Sequence, residues 1–474
     1  MNNRFLALCL LLILGACHEG NDFQKIPKNA RVDLSGEQER LMTMDPNRKD
    51  VPKERLYSGI KQMKQQIALS KDGLLDGVAS IEWKERGPDH VAGRTRAILL
   101  DRNDPSRNTL IAGGVSGGLW RTSNMLEDEI KWEPVNDFWA NLMVTCIAQA
   151  PNNPSKIYVG TGEGWFREDE RMKGFGIWAS TDGGLTFEQL SITRSDIFSH
   201  VLDIVVDQQG VIFASTRMNG IMRSDDEGLS WTQVLGEGVG TGATNRAADL
   251  EIGPDQSLYA SLGIHSKGSL WKADYTQHGI DRGRNGTWQE ITPPQGEYSR
   301  IEVAVAPSDA NRIYFLAQGI SSNDCKYMFR SEDGAQTWSS MPIPKTSNGK
   351  VFTRGQAWHN LIAAVDPNDA DRLFIGGVNL YVSKNAGRTF KQFTHDHGTA
   401  HQYVHADQHA ILFAENSSDF ILFANDGGVW LTTNGSDDIP IVIDRNKGYN
   451  VTQFYSAAIH PYAHDYMLGG TQDN

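Results

Sequence analysis

The sequence predicts an all-β fold: a β-propeller of about seven four-stranded blades, preceded by a signal peptide and a short, partly helical segment. Three observations predict it. Glycine is abundant at 47 residues and tryptophan generous at 12, in a chain of 474, which suits tight turns and repeated aromatic plugs. Short apolar runs recur, such as Ala97-Ile98-Leu99-Leu100 and Val303-Ala304-Val305-Ala306, each followed by a second run such as Ile157-Tyr158-Val159-Gly160 or Leu373-Phe374-Ile375-Gly376. A third run then leads into a polar hairpin that ends on an aromatic residue. The hairpin starts are spaced by 44 residues from Ser180 to Ser224, by 52 from Ser331 to Ser383 and by 49 from Ser383 to Thr432. Four short strands in roughly 44–60 residues is the period of a propeller blade.

Composition sets outer limits. With 22% charged and 39% hydrophobic residues the chain is globular, not disordered. The balance of 45 basic against 58 acidic residues, −13 overall, argues against a nucleic-acid scaffold. An anionic glycan or membrane surface would then need a local basic patch. No run of apolar residues is long enough to span a bilayer as a mature helix.

Taken in chain order, residues 1–16 have signal-peptide proportions: Arg4, an apolar run from Phe5 to Leu14, then Gly15-Ala16. Leu14-Gly15-Ala16-Cys17 resembles the lipobox of bacterial lipoproteins, which implies a lipid anchor on Cys17 and an address at the outer membrane or cell surface. Glu19 and Asp22 just downstream are compatible with onward export. Residues 17–80 read as a tether. Within it Leu56, Ile60, Met63, Ile67 and Leu69 keep roughly helical spacing, so one amphipathic helix is expected between Glu54 and Leu75. Residues 81–447 hold seven repeats, and 448–474 look like the start of a further blade that stops part-way. Once Cys9 leaves with the signal and Cys17 is lipidated, Cys146 and Cys325 remain, in different repeats, as two free buried thiols.

The hairpins Ser180-Thr181-Asp182-Gly183-Gly184-Leu185-Thr186-Phe187, Ser224-Asp225-Asp226-Glu227-Gly228-Leu229-Ser230-Trp231, Ser331-Glu332-Asp333-Gly334-Ala335-Gln336-Thr337-Trp338 and Ser383-Lys384-Asn385-Ala386-Gly387-Arg388-Thr389-Phe390 resemble the Asp-box of sialidase-like and sortilin-like propellers. Ser and Asp oxygens at this spacing can cap turn amides, glycine supplies positive φ, and the aromatic wedges between sheets. The aspartates are therefore expected to hold turns, not ligands. Trp83 with Gly87-Pro88, Gly93-Arg94-Thr95-Arg96, the run Gly113 to Trp120, Gly160-Thr161-Gly162-Glu163, Asn425-Asp426-Gly427-Gly428-Val429-Trp430 and Gly470-Thr471-Gln472-Asp473-Asn474 are similar to the exported Asp-box (BNR-like) propeller proteins common in Bacteroidetes, often labelled glycosyl hydrolases or sortilin-like. Two-propeller xyloglucanases resemble the chain more distantly. In them the first catalytic aspartate precedes the Gly-Gly of the opening blade, where this chain has Ser116. A sialidase-type Arg-Ile-Pro motif is absent.

In a propeller the innermost strands line the channel and ligands bind at one mouth. Counting back from the turns places Arg94, Arg96, Arg300, His359, Asn360, His405, Asp407 and His409 at strand starts near that mouth, with Glu163 at the end of a second strand. His405, Asp407 and His409 alternate, so on a strand they would share one face. Two imidazoles and a carboxylate could ligate a metal ion, act as acid and base, or form a structural plug; His395, His397 and His401 lie just upstream. No other cofactor is expected. A hydrolase would draw its carboxylate pair from Glu163, Asp407, Asp426 or Asp473. Three function classes follow: a lipid-anchored recognition propeller for a glycan or protein partner, which the sequence favours because the recognisable hydrolase aspartate is missing; a polysaccharide-active glycoside hydrolase; and a structural component of an envelope assembly.

Overall fold

A computed structural model describes residues 41, 44–49, 52–71, 86–167, 172–237, 245–397, 402–463 and 465–473. The signal peptide, Cys17 and most of the tether lie outside them. The helix Lys53–Lys71 places Tyr57 6.0 Å from Phe175, with the Arg194 guanidinium 4.9 Å from the Tyr57 ring, so it docks on the side of the second blade. No helix among the described residues is long and apolar enough to cross a membrane.

Seven four-stranded antiparallel meanders form the body, spanning 95–134, 144–189, 201–235, 247–290, 298–340, 362–392 and 408–444, here blades 1 to 7. The first strands of successive blades are neighbours all the way round, and blade 7 returns to blade 1. The first strand is therefore innermost. Seven apolar clusters fill the interfaces; one joins blades 2 and 3 through Tyr158, Ile177, Val201, Ile204 and Met222, another joins blades 5 and 6 through Tyr314, Leu316, Leu373 and Tyr381. Burying several such side chains per interface, at ~1.5–3 kcal/mol each, closes the ring.

Close approach explains the glycine at the end of the second run. A Cβ on Gly113 would lie 2.2 Å from Val144 Cγ1 of the next blade, and one on Gly160 would lie 2.8 Å from Val201 Cγ1. The hairpins have the expected construction. Asp182 Oδ1 accepts from the Leu185 and Thr186 amides at 3.1 and 2.9 Å, the Ser180 hydroxyl bonds Asp182 and accepts from the Gly184 amide, and Gly183 and Gly184 have φ of 75° and 84°. Cys146 and Cys325 are free and buried.

Ring closure runs past Lys447. Tyr449 is fully buried, stacks on Trp132 at 4.7 Å and meets the Thr95 hydroxyl at 3.2 Å, while Val451 sits over Gly93, Gly114 and Gly117 and the Thr452 hydroxyl donates to the Val91 carbonyl. Residues 448–452 thus belong to the blade 7–blade 1 interface, because only small residues at 93, 114 and 117 leave room for them. The strands Phe454–Ile459 and Met467–Thr471 then pair with each other as a separate two-stranded sheet.

Candidate functional site

Antiparallel pairing brings the start of each first strand beside the end of the second: Thr95 with Gly114, Val144 with Thr161, Gln408 with Asn425. Residues just before first strands and just after second strands therefore collect at one mouth of the channel. Arg94 and Arg96 enter from blade 1, Glu163 from blade 2, His359 and Asn360 from the lead-in to blade 6, and His405, Asp407, His409 and Asp426 from blade 7. The turn Asn425–Gly428 aims Asp426 inward, with Asn425 Oδ1 accepting from the Gly427 amide and the Trp430 indole.

Their side chains form a buried plug. Arg94 Nε donates to Asp426 Oδ1 at 2.8 Å and Nη1 to Glu163 Oε2 at 3.1 Å. Arg96 Nε donates to Glu163 Oε1 at 3.0 Å and Nη2 to His359 Nδ1 at 2.9 Å. His409 Nε2 lies 2.6 Å from Asp426 Oδ1, and the His359 and His409 rings meet edge-on at 4.7 Å. Glu163 and Asp426 are 0% and 2% exposed, so their charges survive only because the guanidiniums neutralise them. Burial pushes both carboxyls up, but the charges of Arg94 and Arg96 for Glu163, and the charge of Arg94 with hydrogen bonds from His359 and His409 for Asp426, outweigh it and hold both below the usual range. Burial lowers Arg96 to about 10 despite Glu163, still charged at neutral pH.

The tautomers follow. A guanidinium only donates, so His359 Nδ1 is the acceptor and the proton sits on Nε2, 3.5 Å from Asp426 Oδ2. Burial lowers His359 to about 4 and His409 well below the ordinary value, so both rings are neutral. His409 spends its Nε2 proton on ionised Asp426, and its Nδ1 has no hydrogen-bond partner among the described residues.

The expected trio of His405, Asp407 and His409 does not share a face. Asp407 has φ of 63°, and the strand begins only at Gln408, so the alternation of a strand does not yet apply. His405 Nε2 contacts the Asp473 carbonyl, Asp407 accepts from Asn360 Nδ2 at 2.7 Å, and His409 turns to Asp426. The group whose ligand atoms do converge, within 4.8 Å of one another, is His359, His409 and Asp426. Arg94 and Arg96 crowd that group with positive charge, and both imidazole Nε2 protons point at Asp426, so the donor set fits a hydrogen-bonded plug better than a cation.

Above the plug lie groups that water reaches. Burial, and then Asp426, raise Asp407 to about 6; burial and Asp426 also raise Asp473, whose Oδ2 is 3.8 Å from Arg94 Nη2. Arg300 is drawn away from the mouth: it donates to the Trp358 and Leu361 carbonyls at 3.2 and 2.6 Å and lies 4.0 Å over the Trp165 ring.

Sequence reading missed a second layer. Asp203, Asp249 and Glu302, at inner-strand positions of blades 3, 4 and 5, line a channel cavity of about 220 Å³ with Arg96, Arg300 and His409. Each is stitched to the following blade: Asp203 Oδ2 accepts from the Leu250 amide at 3.0 Å, Asp249 Oδ2 from Val303 at 2.8 Å, and Glu302 from Ala363. Burial raises all three, Asp249 to about 6 and the other two further. The available signal was an acid inside each apolar run, as in Val201-Leu202-Asp203-Ile204, with a second one, Glu251, in the run that holds Asp249. The half-exposed aromatics Phe166 and Trp358, 5.2 Å apart beside the plug, were also missed.

No known family profile matches the chain. A xyloglucanase of Acetivibrio thermocellus is 24% identical over 293 residues, 52% of this chain and 32% of that protein, so the chain spans about a third of the length of this relative. Among solved structures, the GH74 xyloglucanase of Xanthomonas campestris superposes with a TM-score of 0.58 at 17% identity, covering 83% of this chain and 59% of that one. YCF48 from Cyanidioschyzon merolae gives 0.50 at 14% identity, covering 74% and 97%. The likeness establishes the propeller fold.

Proposed function

We propose that the protein is a recognition propeller that binds a glycan at the channel mouth. One observation carries the reading. The best-formed carboxylates, Glu163 and Asp426, are sealed from solvent and clamped by Arg94 and Arg96, so they cannot reach a glycosidic bond. What remains accessible is a rim of Asp407, His405, Asp473, Phe166 and Trp358, polar groups beside aromatic faces, which suits a sugar's hydroxyls and its apolar ring face. Resemblance to xyloglucanases favours a glycan over a protein as ligand. Calorimetric titration of neutral and acidic oligosaccharides against wild type and Trp358→Ala tests it: loss of binding in the variant is expected, and no binding of any glycan by wild type overturns it.

Export and anchoring through Cys17 belong to the same proposal, supported by the lipobox-like Leu14-Gly15-Ala16-Cys17. Cys17→Ala should move the protein from the membrane to the soluble fraction.

A hydrolase is the second reading, favoured by one feature: Asp407, raised to about 6 by burial and then Asp426, stands on the accessible rim with Asp473, also raised, so a protonated carboxyl is available there to act as general acid. Release of reducing ends from xyloglucan by wild type but not by Asp407→Asn would establish it over simple binding.

A further inference from the structure

Below the plug the channel carries more acid than base. Its cavity of about 220 Å³ is lined by Asp203, Asp249 and Glu302 with Arg96, Arg300 and His409. Both arginines are already committed: Arg96 Nε lies 3.0 Å from Glu163, and Arg300 Nη2 lies 3.4 Å from Glu302. The Arg300 guanidinium is pinned at the wall, tied to the Trp358 and Leu361 carbonyls and 4.0 Å over the Trp165 ring. Asp203 and Asp249 have hydrogen bonds from backbone amides but no ion pair among the described residues. Two carboxyls on adjacent blades thus share one cavity with no cationic side chain of their own.

Glu251 extends the acid along the channel. It lies two residues after Asp249, on the same face of the strand. Burial, then Asp249 and Asp203, push its carboxyl well above the usual range. It lines the next cavity along, about 430 Å³, at the ends of the first strands of blades 2 to 5. The plug sits where those strands begin, closed by Arg94 and Arg96, so the approach open to a cation runs past Glu251.

One further group in the cavity lining lacks a partner of the right kind. His409 is 8% exposed and lines the same cavity as Asp203 and Asp249. Its Nε2 proton goes to Asp426, which leaves Nδ1 as a lone pair that no donor among the described residues meets. A buried acceptor left unmade costs stability. Water bound to a cation turns its hydrogens outward, and so offers donors to Nδ1 and to the carboxylates together.

We propose that the channel binds one divalent cation with its water shell, held by Asp203 and Asp249 beneath His409. Hard carboxylate oxygens suit calcium- or magnesium-like ions better than soft metals. The ion is held largely through water, because among the described residues the set of three ligand atoms that converges within 4.8 Å belongs to the plug and not to this layer. Each carboxylate keeps lone pairs beyond those used by the Leu250 and Val303 amides. A cavity of about 220 Å³ accommodates an ion with some six waters at roughly 30 Å³ each. The ion joins blades 3, 4 and 7 through the channel and does not depend on the glycan reading.

The test uses the full protein, stripped with chelator and returned to buffer. Calcium or magnesium chloride is titrated into wild type, Asp203→Asn, Asp249→Asn and Asp226→Asn, with sodium chloride at matched ionic strength. One divalent ion per chain should bind, and the melting temperature should rise with its concentration. Asp203→Asn and Asp249→Asn should each bind about tenfold or more weakly. Asp226→Asn, in an outer hairpin whose counterpart in blade 6 already carries Asn385, should bind as wild type does. With chelator Asp249→Asn should melt no lower than wild type, and with the ion that order should reverse. Two channel variants guard against a folding defect in either one, and crystals grown with manganese should show one anomalous peak in the channel cavity. Binding unchanged in both channel variants, an equal shift from sodium, or no stoichiometric binding by wild type overturns the inference. All three outcomes leave the glycan reading to its own titration.

Discussion

The plug at the channel mouth and the acidic layer beneath it use the same kind of position, a polar side chain on an innermost strand, and reach opposite charge states. In the plug Glu163 and Asp426 meet two arginines and stay ionised. In the layer below, Arg300 reaches only Glu302, at 3.4 Å, while also donating to the Trp358 and Leu361 carbonyls; Asp203 and Asp249 have no ion pair with an arginine among the described residues and lean on amides of the next blade. Burial is similar in both. The counter-charge decides: carboxylates clamped by two guanidiniums hold a proton weakly, whereas those with one long ion pair or none hold it strongly.

The largest expected effect comes from breaking the plug's pairing. Arg94→Met leaves Glu163 and Asp426 buried without their shared cation and should cost about 3–5 kcal/mol, read from urea unfolding; a loss below about 1 kcal/mol would show that water or Arg96 replaces it. Glu163→Gln removes one charge but keeps an acceptor, and should cost about 2–3 kcal/mol because both arginines lose a charged partner. As a reference outside the channel, Asp182→Ala should cost about 1–2 kcal/mol through its turn amides, with ligand binding by the folded protein unchanged. Altered binding at unchanged stability would disprove a purely structural role for that hairpin.

The smallest effect has the opposite sign. Asp249→Asn should be neutral or stabilising by on the order of 1 kcal/mol at pH 7, since it keeps an oxygen for the Val303 amide and removes a disfavoured charge. The two regions then predict the shape of the pH profile. Plug carboxylates, depressed in the fold, contribute stability above about pH 4 that is lost as pH falls through their folded values. For the raised carboxylates the penalty is absent below about pH 4 and complete once pH exceeds their folded values, about 6 for Asp249. Melting temperature should therefore peak between about pH 4 and 6, and Asp249→Asn should flatten the decline from that peak to pH 7. A wild-type profile that rises steadily to pH 7 would sink the comparison.

Local pattern carried the architecture. Apolar runs, glycines at fixed offsets and polar hairpins such as Ser180 to Phe187 are interactions within one blade, and a repeat of such units specifies a ring because no blade can bury both faces alone. It also carried which residues stand at strand starts, so Arg94, Arg96, His359 and His409 were legible as mouth residues. Partner choice was not. His405, Asp407 and His409 look like one face in sequence, yet a left-handed residue at Asp407 sends them to three partners, and the convergent set joins His409 and Asp426 of blade 7 to His359 from the lead-in to blade 6. Arg167, Arg217 and Arg246 carry no common motif and meet only because three blades bring their loops to one cavity. Short-range sterics and hydrogen bonds are written residue by residue in the chain. The field at a buried charge sums over everything the ring brings near it, and that only the tertiary structure decides.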